Sequence, residues 1–260
     1  HAYEMTKPIL TKISNRHTYM GEDFGVGHFT KMVHNGVEYG MLQAVADLYS
    51  YCGHDDTRMK ASLERAIGTD MDGYIVRSAL KVLEQYEMDK ISDVAEMNNT
   101  GLWCSRAGLE YEIPTPVINS AVNTRITSRY IKSIQTKQHS TSVFAPICGM
   151  NTLRFTFAAS LLEGFDLMKT RNTHKQNVVD AWSSGTIIEC PLIAEDLHTI
   201  MDKHILDARI FVLHCMTAGV PCPAVQAAVI QYDFIHQQKT SMSFIMAQRN
   251  LFGQHTLIEV

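Results

Sequence analysis

The sequence predicts an all-α fold, a duplicated helical bundle. Three observations carry that reading. Apolar residues recur at helical spacing over several long stretches, and convincing runs of alternating strand pattern are missing. A proline-containing helix start also occurs twice, as IPTPVINSAV at 113–122 and VPCPAVQAAV at 220–229, 107 residues apart. Of the 260 residues, 45% are apolar, enough for a substantial core in one large domain or two small ones.

The elements follow in chain order. AYEMTKPILTKI places Met5, Ile9 and Ile13 at helical spacing, with Pro8 as a start or kink. HTYMG (17–21) reads as a short strand. A lone helix and strand cannot satisfy the strand's backbone groups, so residues 1–22 are expected to be the last helix and strand of an N-terminal α/β domain whose remainder is absent. The helical domain is then expected over 23–260. Its first helix runs from about Gly27 to Cys52, with Gly53 ending it. CGHDD (52–56) offers ligand types without a partner cluster and reads as a helix end and turn; no metal site is expected.

Further on, Ile75, Ala79, Val82 and Leu83 form one apolar stripe. Residues 153–168 are apolar nearly all round and predict a central buried helix. Asp207 to Ala218 predicts another helix, stopped by Gly219 with Pro221 beyond. Both copies of the proline motif set a proline at a first helical turn, where its missing N–H costs little. Residues 210–232 lack Asp, Glu, Lys and Arg over the length of a membrane span. Gly219, Pro221 and Pro223 break that run, so two buried helices meeting at a corner are expected instead.

The net charge of −4 gives no basic face for nucleic acid. Six scattered cysteines without a CxxC suit buried thiols in a reducing compartment, and no signal peptide is visible. A cytoplasmic protein is expected, with neither nucleic acid nor membrane as a partner.

The densest polar stretch is GVGHFTKMVHNGVEYG (25–40). On a helix, Lys31, His34 and Glu38 fall at i, i+3 and i+7, on one face, with Asn35 beside them. Lys31 and Glu38 are then roughly 10 Å apart along the axis, room for a small substrate between them. A lysine can act as a base and a nearby carboxyl as an acid, which suits proton transfer on a polyol or keto acid. A solvated surface face with a core histidine fits the same spacing. The stretch is neither a phosphate loop nor a dinucleotide fingerprint, because Thr30 stands where the third glycine would be.

GHFTKMVHNGVEYGMLQ (27–43) resembles the signature helix of the decarboxylating 6-phosphogluconate dehydrogenases. TGLWCSRAGLEYEIPTPVINSAVNTR (100–125), AWSSGTII (181–188) and IMAQRNLFGQHTLIEV (245–260) are similar to later segments of that family's helical C-terminal domain. The resemblance implies an all-α duplication that works with a Rossmann domain holding NADP. It implies oxidative decarboxylation of 6-phosphogluconate to ribulose 5-phosphate and CO2, and a homodimer. This chain alone is expected to be inactive.

Residue by residue, the resemblance implies Lys31 and Glu38 as the catalytic base and acid. His34, Asn35, Tyr39 and Arg125 match substrate-binding positions. Arg249 and His255 match a terminal pair that reaches a neighbouring subunit's site. Three departures stand out. Leu102 replaces a phosphate-binding lysine (TGLW for TGKW), a loss of about 1.5–3 kcal/mol for a charged hydrogen bond. Residues 62–76 lack a tryptophan–asparagine pair, and Glu189 replaces an arginine. A non-catalytic helical scaffold, or a related β-hydroxy-acid dehydrogenase with altered phosphate recognition, are the alternative readings.

Overall fold

A computed structural model describes residues 2–131, 146–171, 173, 175–183 and 190–254. Eleven α-helices account for most of them: α1 (Ala2–Ile13), α2 (Val26–Tyr51), α3 (Asp56–Glu64), α4 (Tyr74–Gln85), α5 (Thr100–Glu110), α6 (Pro116–Ile131), α7 (Pro146–Lys169), α8 (Lys175–Ser183), α9 (Leu197–Ala218), α10 (Pro223–Ile235) and α11 (Met242–Gly253). No strand occurs among the described residues. The fold is all-α, as the apolar periodicity predicts.

Two long helices form the middle of the bundle. α7 buries Leu153, Phe155, Phe157, Leu161, Phe165 and Leu167 around its circumference and packs against α2 and α9. It is the central helix expected over 153–168. α2 buries Val33, Val37, Met41, Ala44 and Leu48 against it. α5 crosses α2 so closely that a methyl group at Gly36 would overlap Cys104 Sγ, which is why glycine serves there. That crossing brings the start of α5 onto the polar face of α2.

Both copies of the proline motif begin helices, α6 and α10, which pack against each other. Each first turn is closed by a buried carboxylate from a distant helix. Glu163 on α7 accepts from Val117 N (2.8 Å) and Ile118 N (3.0 Å) with its two oxygens. Asp47 on α2 accepts from Ala224 N (2.8 Å) and Val225 N (3.1 Å). The early N–H groups of a helix have no partner within it, so an acceptor buried beside them must come from outside. α9 and α10 meet at a corner where Gly219 takes a φ of 70°. No helix among the described residues is long and apolar enough to cross a membrane.

Three expectations need correction. Residues 17–21 form no strand, since no ladder partner is present among the described residues; His17 instead meets Tyr3 Oη (2.7 Å) and Thr11 Oγ1 (3.1 Å) of α1. α1 begins at Ala2, so Pro8 lies inside the helix and not at its start. α9 begins ten residues before Asp207, because Asp196 caps it by accepting from His198 N (3.2 Å) and Thr199 N (3.4 Å). In α4, Ile75 is buried, Ala79 and Leu83 pack half-buried against the core, and Val82 is 40% exposed. CGHDD is a helix end and turn: Cys52 follows α2, and Asp55 caps α3 by accepting from Arg58 N (3.0 Å). All six cysteines are buried free thiols.

Candidate functional site

The polar residues of 25–40 converge on one stretch of α2. Lys31 is exposed, Asn35 half-buried, and His34, Glu38 and Tyr39 buried. His34 Nδ1 lies 3.2 Å from Lys31 Nζ, 3.3 Å from Asn35 Oδ1 and 3.6 Å from Glu38 Oε1. An ammonium only donates, so with Lys31 charged Nδ1 is its acceptor and the ring proton sits on Nε2. With Lys31 neutral, Nδ1 is free to donate to Asn35 or Glu38. The proton on Lys31 and the tautomer of His34 are therefore linked.

Burial, and then the charge of Lys31, lowers the His34 pKa to about 4, against the opposing bond to Asn35. His34 is thus neutral at pH 7. Burial raises the Glu38 carboxyl to about 7, opposed by Lys31. Its Oε1 has no hydrogen-bond partner among the described residues. Near neutrality, then, the face holds a carboxyl able to give up a proton and a neutral imidazole between it and an amine. Groups whose environments push their pKa values apart are the parts needed for paired acid and base work.

Groups from other helices complete the site. Asn35 Nδ2 donates to Thr100 Oγ1 (3.1 Å), and Thr100 Oγ1 donates to Asn98 Oδ1 (2.7 Å). Tyr39 Oη donates to the same Asn98 oxygen at 3.3 Å. The Arg125 guanidinium carbon lies 3.6 Å from the centroid of the Tyr39 ring, and its Nη1 donates to Glu96 O at 3.5 Å. Gly101 underlies the same ring: a Cβ there would come within 2.6 Å of it. Trp182 of α8 meets the His34 ring edge-on, centroids 5.8 Å apart, and stacks on Phe165 at 5.5 Å. Glu38, Tyr39, Glu96, Asn98 and Arg125 face an open cleft of about 420 Å³.

Of the sequence-derived candidates, Lys31, His34, Asn35, Glu38 and Tyr39 cluster on α2, and Arg125 joins them from α6. Arg249 does not line this cleft; it is exposed on α11, where its Nη1 contacts Met246 Sδ at 3.6 Å. His255, Glu189 and Lys132 lie outside the described residues, as do 184–188 of AWSSGTII. Leu102, which stands where the resemblance places a phosphate-binding lysine, packs half-buried against Tyr39, Ala121 and Val122. An aliphatic chain suits that cluster, and Glu96, Met97 and Asn98 are the residues just before it that line the cleft. Asn98, Thr100 and Trp182 were not sequence-derived candidates for the site. The run Asn98-Asn99-Thr100 before a helix was the available signal. Among the described residues no group of three or more His, Cys, Asp or Glu is placed to hold a metal ion.

Comparison with known proteins bears on this arrangement. The family model for the 6-phosphogluconate dehydrogenase C-terminal domain matches residues 27–260. The decarboxylating 6-phosphogluconate dehydrogenase of Lactococcus lactis subsp. lactis is 27% identical over 310 aligned residues, covering 98% of this chain and 65% of its own length. That of Dictyostelium discoideum is 27% identical, covering 98% and 64%. The chain thus spans a little under two thirds of the length of these relatives. A solved structure of Plasmodium falciparum 6-phosphogluconate dehydrogenase covers 100% of the chain, with a TM-score of 0.87 at 21% identity, and shares its fold. That enzyme is described in apo form, with its cofactor NADP+ and with its substrate 6-phosphogluconate.

Proposed function

The chain belongs to the 6-phosphogluconate dehydrogenase family, and on that premise we propose that it is the helical part of a decarboxylating dehydrogenase. The substrate is 6-phosphogluconate and the products are ribulose 5-phosphate and CO2. The observation that best supports this reading is the Lys31–His34–Glu38 face, with a neutral histidine and a carboxyl titrating near pH 7 beside an open cleft.

No dinucleotide fingerprint occurs in the sequence, and the described residues form no parallel sheet. These residues do not fit NADP by themselves. Its main site is proposed to lie on a part of the protein outside the 260 residues, and this helical part alone turns nothing over. The role of this chain is then binding and proton transfer. Lys31, in its neutral form, takes the proton of the substrate's 3-hydroxyl as that carbon is oxidised, and returns one to the oxygen when carboxylate is lost. Glu38, protonated near neutrality, gives its proton to C1 of the enediol. His34 and Asn35 hold the sugar acid between them. Tyr39 and Arg125 bind its phosphate, for which a planar guanidinium is well suited.

The remaining proposals concern assembly. The helical unit over 23–260 is a duplication, and 1–22 belongs to the coenzyme unit. Two chains pair as a homodimer in the cytoplasm, with Arg249 and His255 reaching the neighbour's cleft. Supporting this, α11 buries no residue in its own chain and exposes Phe244, Ile245, Leu251 and Phe252. The test is NADP reduction by the full-length protein with 6-phosphogluconate. Lys31→Met should lower kcat roughly a hundred- to ten-thousand-fold. Unchanged turnover in that variant removes Lys31 from the mechanism.

A further inference from the structure

His34 is held by two unlike kinds of contact. Its polar contacts gather at Nδ1, where Lys31 Nζ, Asn35 Oδ1 and Glu38 Oε1 all lie within 3.6 Å. Against the ring stands Trp182 of α8, edge-on, with the planes 75° apart. The contacts at Nδ1 do not by themselves fix the ring. The terminal torsion of a histidine is broad and roughly two-fold, and a half-turn about it exchanges Nδ1 for a C–H group. What selects one orientation is the shape of the wall beside it. Trp182 is itself held fast: it is 2% exposed and stacks on Phe165 of α7, planes 12° apart. Gly164 makes room for it. A Cβ at that position would come within 3.3 Å of the indole Cη2 and 2.4 Å of Val37 Cγ2, so the bare backbone lets α2, α7 and Trp182 close together. Trp182 does not line the cleft.

We infer that Trp182 is a positioning residue for the proton transfers of this face, its indole keeping the His34 ring turned with Nδ1 toward Lys31 and Glu38. The inference rests on the functional reading above and deepens it. When Lys31 takes the proton of the substrate's 3-hydroxyl it becomes an ammonium, which only donates. Nδ1 of the neutral His34 is then its acceptor, 3.2 Å away. Such a bond is stronger from a charged donor than from a neutral one, so it favours the protonated lysine. A ring turned over would set a C–H group against the same ammonium, and Lys31 would be the weaker base. The proton stays on Lys31 in this contact; the imidazole neither gains nor loses one. Trp182 thus acts on the lysine through the histidine, from a helix that carries none of the site's other groups.

The test is NADP reduction with 6-phosphogluconate by the full-length protein. Trp182→Leu should lower kcat about tenfold with KM within about threefold, because the loss falls on proton transfer and not on the cleft. Trp182→Phe keeps an aromatic edge and should recover most of that loss. In a His34→Ala background, Trp182→Leu should lower kcat by less than about twofold more, since the residue it acts through is gone. A full tenfold loss there, no recovery with phenylalanine, or a rise in KM alone overturns the inference. A measurement on the unaltered protein covers the case in which Trp182→Leu does not fold. The His34 ring protons should show nuclear Overhauser contacts to the indole in a single ring orientation, and their absence overturns the role. If Lys31→Met leaves turnover unchanged, the functional reading falls and this inference with it. If Lys31→Met abolishes turnover while Trp182→Leu alters nothing, only this inference falls.

Discussion

Asp47 and Glu163 do the same work in opposite directions. Each lies on one of the two central helices, and each holds the first turn of a proline-motif helix that follows the other central helix. The amides they accept from, Val117 and Ile118 in one case and Ala224 and Val225 in the other, occupy matching positions of the two motif copies. The two acids thus cross between the halves of the bundle. Above pH 8, where the acid is charged, Glu163→Gln should leave one buried N–H facing an NH2 group and cost about 1–3 kcal/mol. Asp47→Asn should cost a similar amount. Urea unfolding checks both; loss below about 0.5 kcal/mol in each would mean the bonds are replaceable.

The same acids set a pH dependence. Burial raises Glu163 to about 8 and Asp47 to about 7, outweighing the backbone bonds that lower them. In the unfolded chain both carboxyls return to ordinary values near 4. Between those limits the folded protein holds more protons than the unfolded one, so stability must fall as pH rises from about 5 to 8. Glu38, raised by burial to about 7, adds to the same slope. Melting temperatures across that range should show the fall, and Glu163→Gln should flatten it. A wild-type curve rising with pH throughout would contradict the assignment.

His34 offers a local readout. Its pKa is lowered to about 4 by burial first and by Lys31 second. Lys31→Met should therefore raise it, yet leave it below the ordinary 6.5, since the burial remains. An NMR titration of the imidazole resolves the two contributions. No movement on loss of the lysine would mean the two groups are not coupled.

Gly101 tests how Tyr39 is seated. In Gly101→Ala the new methyl would come within 2.6 Å of the phenol ring. The ring must shift, and Arg125 and Asn98 lose their common partner. A loss of about 1–3 kcal/mol in stability is expected, with weaker binding of 6-phosphogluconate by the full-length protein. Calorimetry of both quantities decides it; wild-type values in each would show that the ring adjusts freely.

Much of this was legible in sequence, for local reasons. Helix type follows from apolar spacing, and the corner at Gly219 from glycine and proline. Lys31, His34, Asn35, Glu38 and Tyr39 share a helix, so their spacing alone brings them together. Thr100 and Trp182 arrive from other helices and Asn98 from the loop before α5, through packing that no local pattern encodes. Asp47 and Glu163 look like ordinary solvated acids in the sequence; only tertiary structure shows them buried. The strand read at 17–21 failed because propensity without a ladder partner makes no strand. The late start assigned to α9 came from following its apolar run back only to Asp207, when Asp196 already supplies a cap.

The crossed acids have a consequence for synthesis. Glu163 reaches back 45 and 46 residues to its amides, whereas Asp47 waits for partners 177 and 178 residues downstream. A chain leaving the ribosome therefore carries Asp47 with at most its local Gln43 partner while the residues up to Ala224 are made. Its central layer cannot close around that acid until Pro223–Ile235 has emerged, so the packing of α2 is completed only by a helix made long after it.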